Sequence, residues 1–174
     1  VIPQTISTFI KNQSEINIDL NKLGFKHKNT LLITAAGTSY YAAMVGKYWI
    51  EHIADLPVII DLASEYRYRK PSVFGQSAML VISQSGESLD TLMALRHGKK
   101  LGLSTNAIVN VEDSTIDREV DYSLYTRVGA EIGVASTKSF TSQLIILFIM
   151  AVALGKKFNN LKTNHIQNIC SYIH

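Results

Sequence analysis

A single cysteine, Cys170, is present in the 174 residues. No intrachain disulfide can form, which suits a reducing, cytoplasmic setting. With no acidic or glycine-rich neighbourhood, that thiol reads as a buried structural group and not as a nucleophile. Charge is also sparse: 18% of residues are charged against 47% apolar, the reverse of the balance that leaves a chain disordered. The formal net charge of +3 comes from scattered Lys and Arg without a basic run, which argues against a nucleic-acid binder. No apolar stretch reaches the roughly 20 residues that span a bilayer. The longest, LIILFIMAVAL at 144–154, is expected as a buried or interface helix, with no membrane partner. Three prolines and no Pro- or Ser-rich tract leave no linker, and no repeat is visible. No basic start followed by an apolar run marks a signal peptide. The start at Val1 and the end SYIH are expected of a fragment of a longer chain, folded as one domain.

The five histidines, His27, His52, His97, His165 and His174, show no metal spacing, and no carboxylate pair is placed for acid–base work. The site expectation therefore contains no metal and no cofactor.

What is present is an alternation. LLITAA (31–36), PVIIDLA (57–63), AMLVIS (78–83), TNAIVNV (105–111) and DYSLYT (121–126) read as strands. Helices are expected over YYAAMVGKYWIEHI (40–53), over 87–102 ending at Gly102, and over 138–155 closed by Gly155. Two more are expected at roughly 4–22 and 161–173. In the helix at 87–102, Leu89, Leu92 and Met93 share a face with Leu101 nearby; Glu87 and Asp90 fall in the first turn, and Arg96, His97, Lys99 and Lys100 near the end. The strands are apolar throughout, as in a parallel sheet covered on both faces. The fold class that follows is α/β, a three-layer αβα sandwich around a five-stranded parallel sheet. Its expected parts are an N-terminal helical segment (1–28), an α/β core (29–155) and a C-terminal helix (156–174).

Ligands of such sheets bind at the carboxyl ends of the strands, and three strand-to-helix loops there carry unusual chemistry. AAGTSYYAA offers Gly37 for a tight turn and the hydroxyls of Thr38 and Ser39. On that loop alone, N-capping is the simpler reading. SQSGES offers Ser83, Gln84, Ser85, Gly86 and Ser88 at a helix start. A cap needs one such side chain and this loop has several, so an anion site is the better reading. It is not a Walker loop, a GxGxxG fingerprint or a GxSxG elbow. With no Lys or Arg inside the motif, neutral donors suit a sugar monophosphate better than a nucleoside triphosphate. GAEIGVASTKSFTSQ (129–143) brings Ser136, Thr137 and Lys138 before the long helix; a cap again, or the far wall of the same pocket. In SEYRYRK (64–70), Glu65, Arg67, Arg69 and Lys70 could contact an anion, but a surface ion-pair cluster is the simpler reading.

Together GTSYYA, ASEYRYRK, ISQSGESLDTL, NVEDSTIDREVDY and EIGVASTKSFTSQL resemble the sugar-isomerase (SIS) domain family. The resemblance is strongest to the first of the two SIS domains in the isomerising glutamine–fructose-6-phosphate aminotransferases, the glucosamine-6-phosphate synthases. The motifs run in the family's order over about 31–155. The resemblance implies that Ser83, Gln84, Ser85 and Ser88 hold the phosphate of fructose 6-phosphate or glucosamine 6-phosphate. It implies that Thr38 and Ser39 contact sugar or phosphate, and that Val134 and Ser136 line the sugar side. The expected partners are that sugar phosphate, a second SIS domain, a glutaminase domain and a homodimer mate, with the apolar helix at 140–154 as a possible interface. The catalytic glutamate, lysine and histidine of the family have no counterpart in 1–174, so the fragment is expected to bind without turnover. The family usually has Cys where Ala36 stands and Thr where Ser88 stands; serine keeps the hydroxyl. The alternative function is a phosphosugar-sensing regulatory SIS domain.

Overall fold

The computed structural model describes residues 2–11, 15–16, 18–25, 30–69, 77–129, 136–158 and 160. Helix α1 (Ile2–Phe9) leads into two short antiparallel strands, β1 (Ile10–Lys11) and β2 (Glu15–Ile16). The core then runs β3 (Leu31–Ala35), α2 (Gly37–Ala54), β4 (Val58–Leu62), α3 (Ala63–Tyr66), β5 (Ala78–Ser83), α4 (Leu89–Lys100), β6 (Ser104–Val109), α5 (Thr115–Glu119), β7 (Tyr122–Tyr125) and α6 (Thr137–Lys157).

The main sheet has five strands in the order β4-β3-β5-β6-β7, all parallel. Side chains alternate across it as the pleat requires. Leu31, Ile33, Ala35, Leu80, Ile82 and Ile108 join a core shared with α1, α2 and α6, and Leu32, Met79, Val81, Ala107 and Val109 join a second core shared with α3, α4 and α5. Burial on both sides is why the inner strands β3, β5 and β6 carry no polar face, whereas the edge strands β4 and β7 are partly exposed; helices on both faces yield the expected three-layer α/β architecture.

Several expectations of detail are corrected. The helix expected at 4–22 stops at Phe9. The chain then forms the β1–β2 pair, and Asp19 turns it further: its Oδ1 accepts the N–H of Asn21 at 3.1 Å and of Lys22 at 3.3 Å, an Asx turn in place of the expected helix. Gly155 does not close α6; it is buried inside the helix, which continues to Lys157. In α4 the buried face is Thr91, Leu92, Ala94, Leu95 and Gly98, whereas Leu89 is 65% exposed. The helix expected at 161–173, and Cys170 within it, lie outside the described residues.

α6 is long and apolar enough to cross a bilayer by length and composition, but its apolar face packs on α1 and α2. That packing also removes most of 140–154 as an interface candidate. The apolar helical stripe left open belongs to α2, where Tyr41, Met44, Val45 and Tyr48 are exposed at helical spacing.

Candidate functional site

β3 is the turning point of the sheet. The chain moves from β3 outward to β4, then returns to place β5 on the other side of β3. A crevice opens at the carboxyl ends of two strands whose connections leave in opposite directions. The loops that follow β3 and β5, 36–39 and 84–88, meet at that crevice, and Ser136 closes it from the start of α6. The cleft encloses about 420 Å³.

Three helices begin at its wall. Their N-cap residues are Ala36 for α2, Ser88 for α4 and Ser136 for α6, and none makes a side-chain capping bond. The expectation that Thr38 and Ser39 cap a helix is therefore corrected: both lie inside α2, and its cap position holds Ala36, which has no acceptor. The first N–H groups of a helix have no intrahelical partner and carry the positive end of its dipole. Three such starts on one cleft are suited to an oxyanion.

The hydroxyls are arranged around them. Ser83, 3% exposed at the end of β5, accepts the N–H of Gly86 at 3.1 Å, and its Oγ lies 3.2 Å from Ser88 Oγ. Ser85 Oγ accepts the N–H of Glu87 at 3.1 Å. Ser39 is held by buried Gln143 of α6, whose Nε2 donates to Ser39 Oγ at 3.0 Å. Thr91, fully buried one turn into α4, lines the cleft with an Oγ1 that has no hydrogen-bond partner among the described residues. Sequence reasoning missed Thr91; its signal was the spacing of three from Ser88, which puts both on one face of the helix.

The loop 84–88 is braced from behind by the segment after β6. Gln84 O accepts the N–H of Asn110 at 3.1 Å and Gly86 O that of Ile116 at 3.0 Å. Gly86 has φ +67, and a Cβ there would sit 1.9 Å from Ser114 Oγ, so only glycine fits. Glu87, expected in the first turn of α4, lies before it and reaches α5 instead, accepting the N–H of Thr115 at 2.7 Å. That bond, with Arg118 nearby, holds its carboxyl below the usual range.

Thr38, Ser39, Ser83, Gln84, Ser85, Ser88 and Ser136 thus line one cleft, while Val134 lies outside the described residues. No described lining residue is charged or titrates near neutrality, and the described residues hold no group of three or more potential metal ligands. The cleft can bind and orient an anion; its described lining residues include no acid or base to move a proton.

A match to the family model described as the SIS domain covers residues 24–153. The chain belongs to the SIS domain family. This SIS domain is 42% identical, over 97% of its length, to glutamine–fructose-6-phosphate aminotransferase (isomerizing) of Clostridium tetani, and spans 28% of that relative. It is 54% identical over 132 residues, 75% of its length, to the same enzyme of Xylella fastidiosa, spanning 22% of it. A solved structure, the C-terminal domain of glucosamine-fructose-6-phosphate aminotransferase from Francisella tularensis, superimposes with a TM-score of 0.94 at 38% identity, over 99% of this chain and 49% of that one. The SIS domain is thus homologous to the isomerase domain of those enzymes, and spans under a third of the curated relatives.

The described residues of SEYRYRK, 64–69, are not in the cleft. Arg67 pairs with Asp90 at 3.2 Å and Arg69 with Asp61 at 3.1 Å, the ion-pair cluster expected of them; Lys70 is outside the described residues. Tyr66 beneath them is fully buried, and burial, with the charge of Asp61, pushes its hydroxyl up to about 12.

Proposed function

We propose that this SIS domain binds the phosphate of fructose 6-phosphate or glucosamine 6-phosphate, as the first isomerase domain of a glutamine–fructose-6-phosphate aminotransferase. The parent enzyme converts fructose 6-phosphate and glutamine into glucosamine 6-phosphate and glutamate. The observation that carries the reading is the convergence of three uncapped helix starts and the serine hydroxyls on one cleft whose described lining is uncharged. Ser83, Gln84, Ser85 and Ser88, with the first amides of α4, take the phosphate; Thr38 and Ser39 complete the cradle; Ser136 lies on the sugar side, the role that the family resemblance also gives to Val134.

In the parent reaction the sugar ring opens, ammonia condenses at the ketone, and a proton moves between C1 and C2. This domain's share is to fix the phosphate, so that remote binding energy orients the reacting end. The proton-moving groups belong to the rest of the parent chain and to a homodimer partner. The open stripe of α2, with Tyr41 and Tyr48, is the face that such association would cover.

Ser85→Ala and Thr91→Val test the reading. Each removes one neutral donor and should weaken glucosamine 6-phosphate by about 0.5–1.5 kcal/mol, roughly two- to twelve-fold in affinity. Unchanged affinity in both variants, each folded as the native chain is, contradicts it.

A further inference from the structure

From Ile146 onward the buried side chains of α6 are apolar, but one turn earlier the same face carries an amide. Gln143 shares that face with Ile146, Leu147 and Met150 at helical spacing and is 1% exposed. Its Nε2 donates to Ser39 Oγ of α2 at 3.0 Å, across 104 positions of chain. Ser39 is itself buried and lines the phosphate cleft. Gln143 is not among the lining residues.

Packing does not call for an amide here. Gln143 Oε1 is buried with no hydrogen-bond partner among the described residues. A leucine or methionine of similar volume would fill the same place with nothing left unpaired. A buried polar group that breaks the local rule in this way is expected at functional sites.

What the amide can do is set the direction of one proton. A serine hydroxyl has one O–H and two lone pairs. Inside a helix it ordinarily turns back to a carbonyl one turn earlier, as Thr141 and Ser142 do in α6. Ser39 is bonded to Gln143 instead. The amide N–H takes a lone pair and leaves the O–H to be donated. The reversed amide, with its carbonyl toward Ser39, would draw that O–H out of the cleft and present a lone pair to the ligand, which a phosphoryl oxygen repels.

We propose that Gln143 is a positioning residue: by donating to Ser39 Oγ it commits that hydroxyl as a donor into the cleft, ready for a ligand oxygen that only accepts, the chemistry of a phosphate ester. The inference rests on the phosphosugar reading of the cleft and adds to it a residue outside the lining.

Calorimetric titration with glucosamine 6-phosphate across a double-mutant cycle tests it, on the native chain, Gln143→Leu, Ser39→Ala and the pair. Gln143→Leu is expected to weaken binding about two- to twelvefold, the range of one neutral hydrogen bond, at a melting temperature no lower than that of the native chain. With Ser39→Ala already present, the same change should alter affinity by less than about twofold, because the proton it directs is gone. An effect of disturbed packing would recur in both backgrounds. Gln143→Glu supplies a rescue. Burial raises the pKa of a carboxyl, so at about pH 5 its O–H donates to Ser39 as the amide does, and affinity should lie within about twofold of native at that pH. As the pH rises and the carboxyl ionises, it accepts from Ser39, and affinity should fall below native. Indifference to Gln143→Leu, equal effects of it with and without Ser39, or Gln143→Glu no better than Gln143→Leu in acid overturns the inference while the phosphate reading stands. Failure of the native chain to bind glucosamine 6-phosphate overturns both.

Discussion

Gly86 is the residue on which the shape of the phosphate loop depends most directly. Its φ of +67 and the 1.9 Å approach of Ser114 Oγ to a notional Cβ mean that any side chain must push the loop off its brace. Gly86→Ala is expected to cost about 1–3 kcal/mol of stability, from backbone strain and displacement together. It should also weaken glucosamine 6-phosphate more than Ser85→Ala does, because it moves several donors rather than deleting one. Denaturant unfolding and calorimetry on the same variant check both effects; native affinity would mean the loop tolerates the shift. The serines were legible as chemistry from the quoted stretch SQSGES because five polar or flexible residues at a strand end exceed what a cap uses. Thr91 was not, since a threonine inside a helix ordinarily turns its hydroxyl to the backbone; only its burial without a partner marks it. Glu87 was read as a dipole-complementing helical residue, and its bond to Thr115, 28 positions away, is a tertiary contact that local spacing cannot reveal.

At the scale of elements, α2 and α6 form the largest helix–helix contact, and Gly46 of α2 lets them close: a Cβ there would lie 2.9 Å from Leu147 Cδ1. Leu147 is fully buried in this seam. Leu147→Ala is expected to cost about 2–5 kcal/mol, read as a lower denaturation midpoint, with the affinity of the remaining folded protein for glucosamine 6-phosphate unchanged. The same seam explains what the sequence could and could not convey. The five strands were visible within one or two residues: burial on both faces makes β3, β5 and β6 nearly continuous apolar runs, and the edge strands β4 and β7 show as short runs rich in β-branched and aromatic residues. The ends of the helices were not. Gly155 looked like a terminator, but burial among its neighbours in α6 outweighs its low helix propensity. The start of α2 was hidden because Ala36, in place of a capping residue, left no signal, and Thr38 and Ser39, two and three positions on, looked like caps.

For the molecule as a whole, the strand order places the two hydroxyl-rich loops side by side. That juxtaposition follows from alternating strands and helices, although the order itself was not written in any single motif. A cleft with neutral donors and no titratable group among its described lining residues orients a substrate without moving its protons. A turnover assay on the chain alone should therefore show no conversion of fructose 6-phosphate, with or without ammonia; measurable conversion would require a base inside these residues. The claim at the centre of the account is that the cleft recognises phosphate. The measurement that tests it most directly is calorimetric titration of the native chain with glucosamine 6-phosphate and with glucosamine. Saturable binding of the phosphorylated sugar and none of the free sugar is the predicted result; equal binding of the two, or binding of neither, would contradict it.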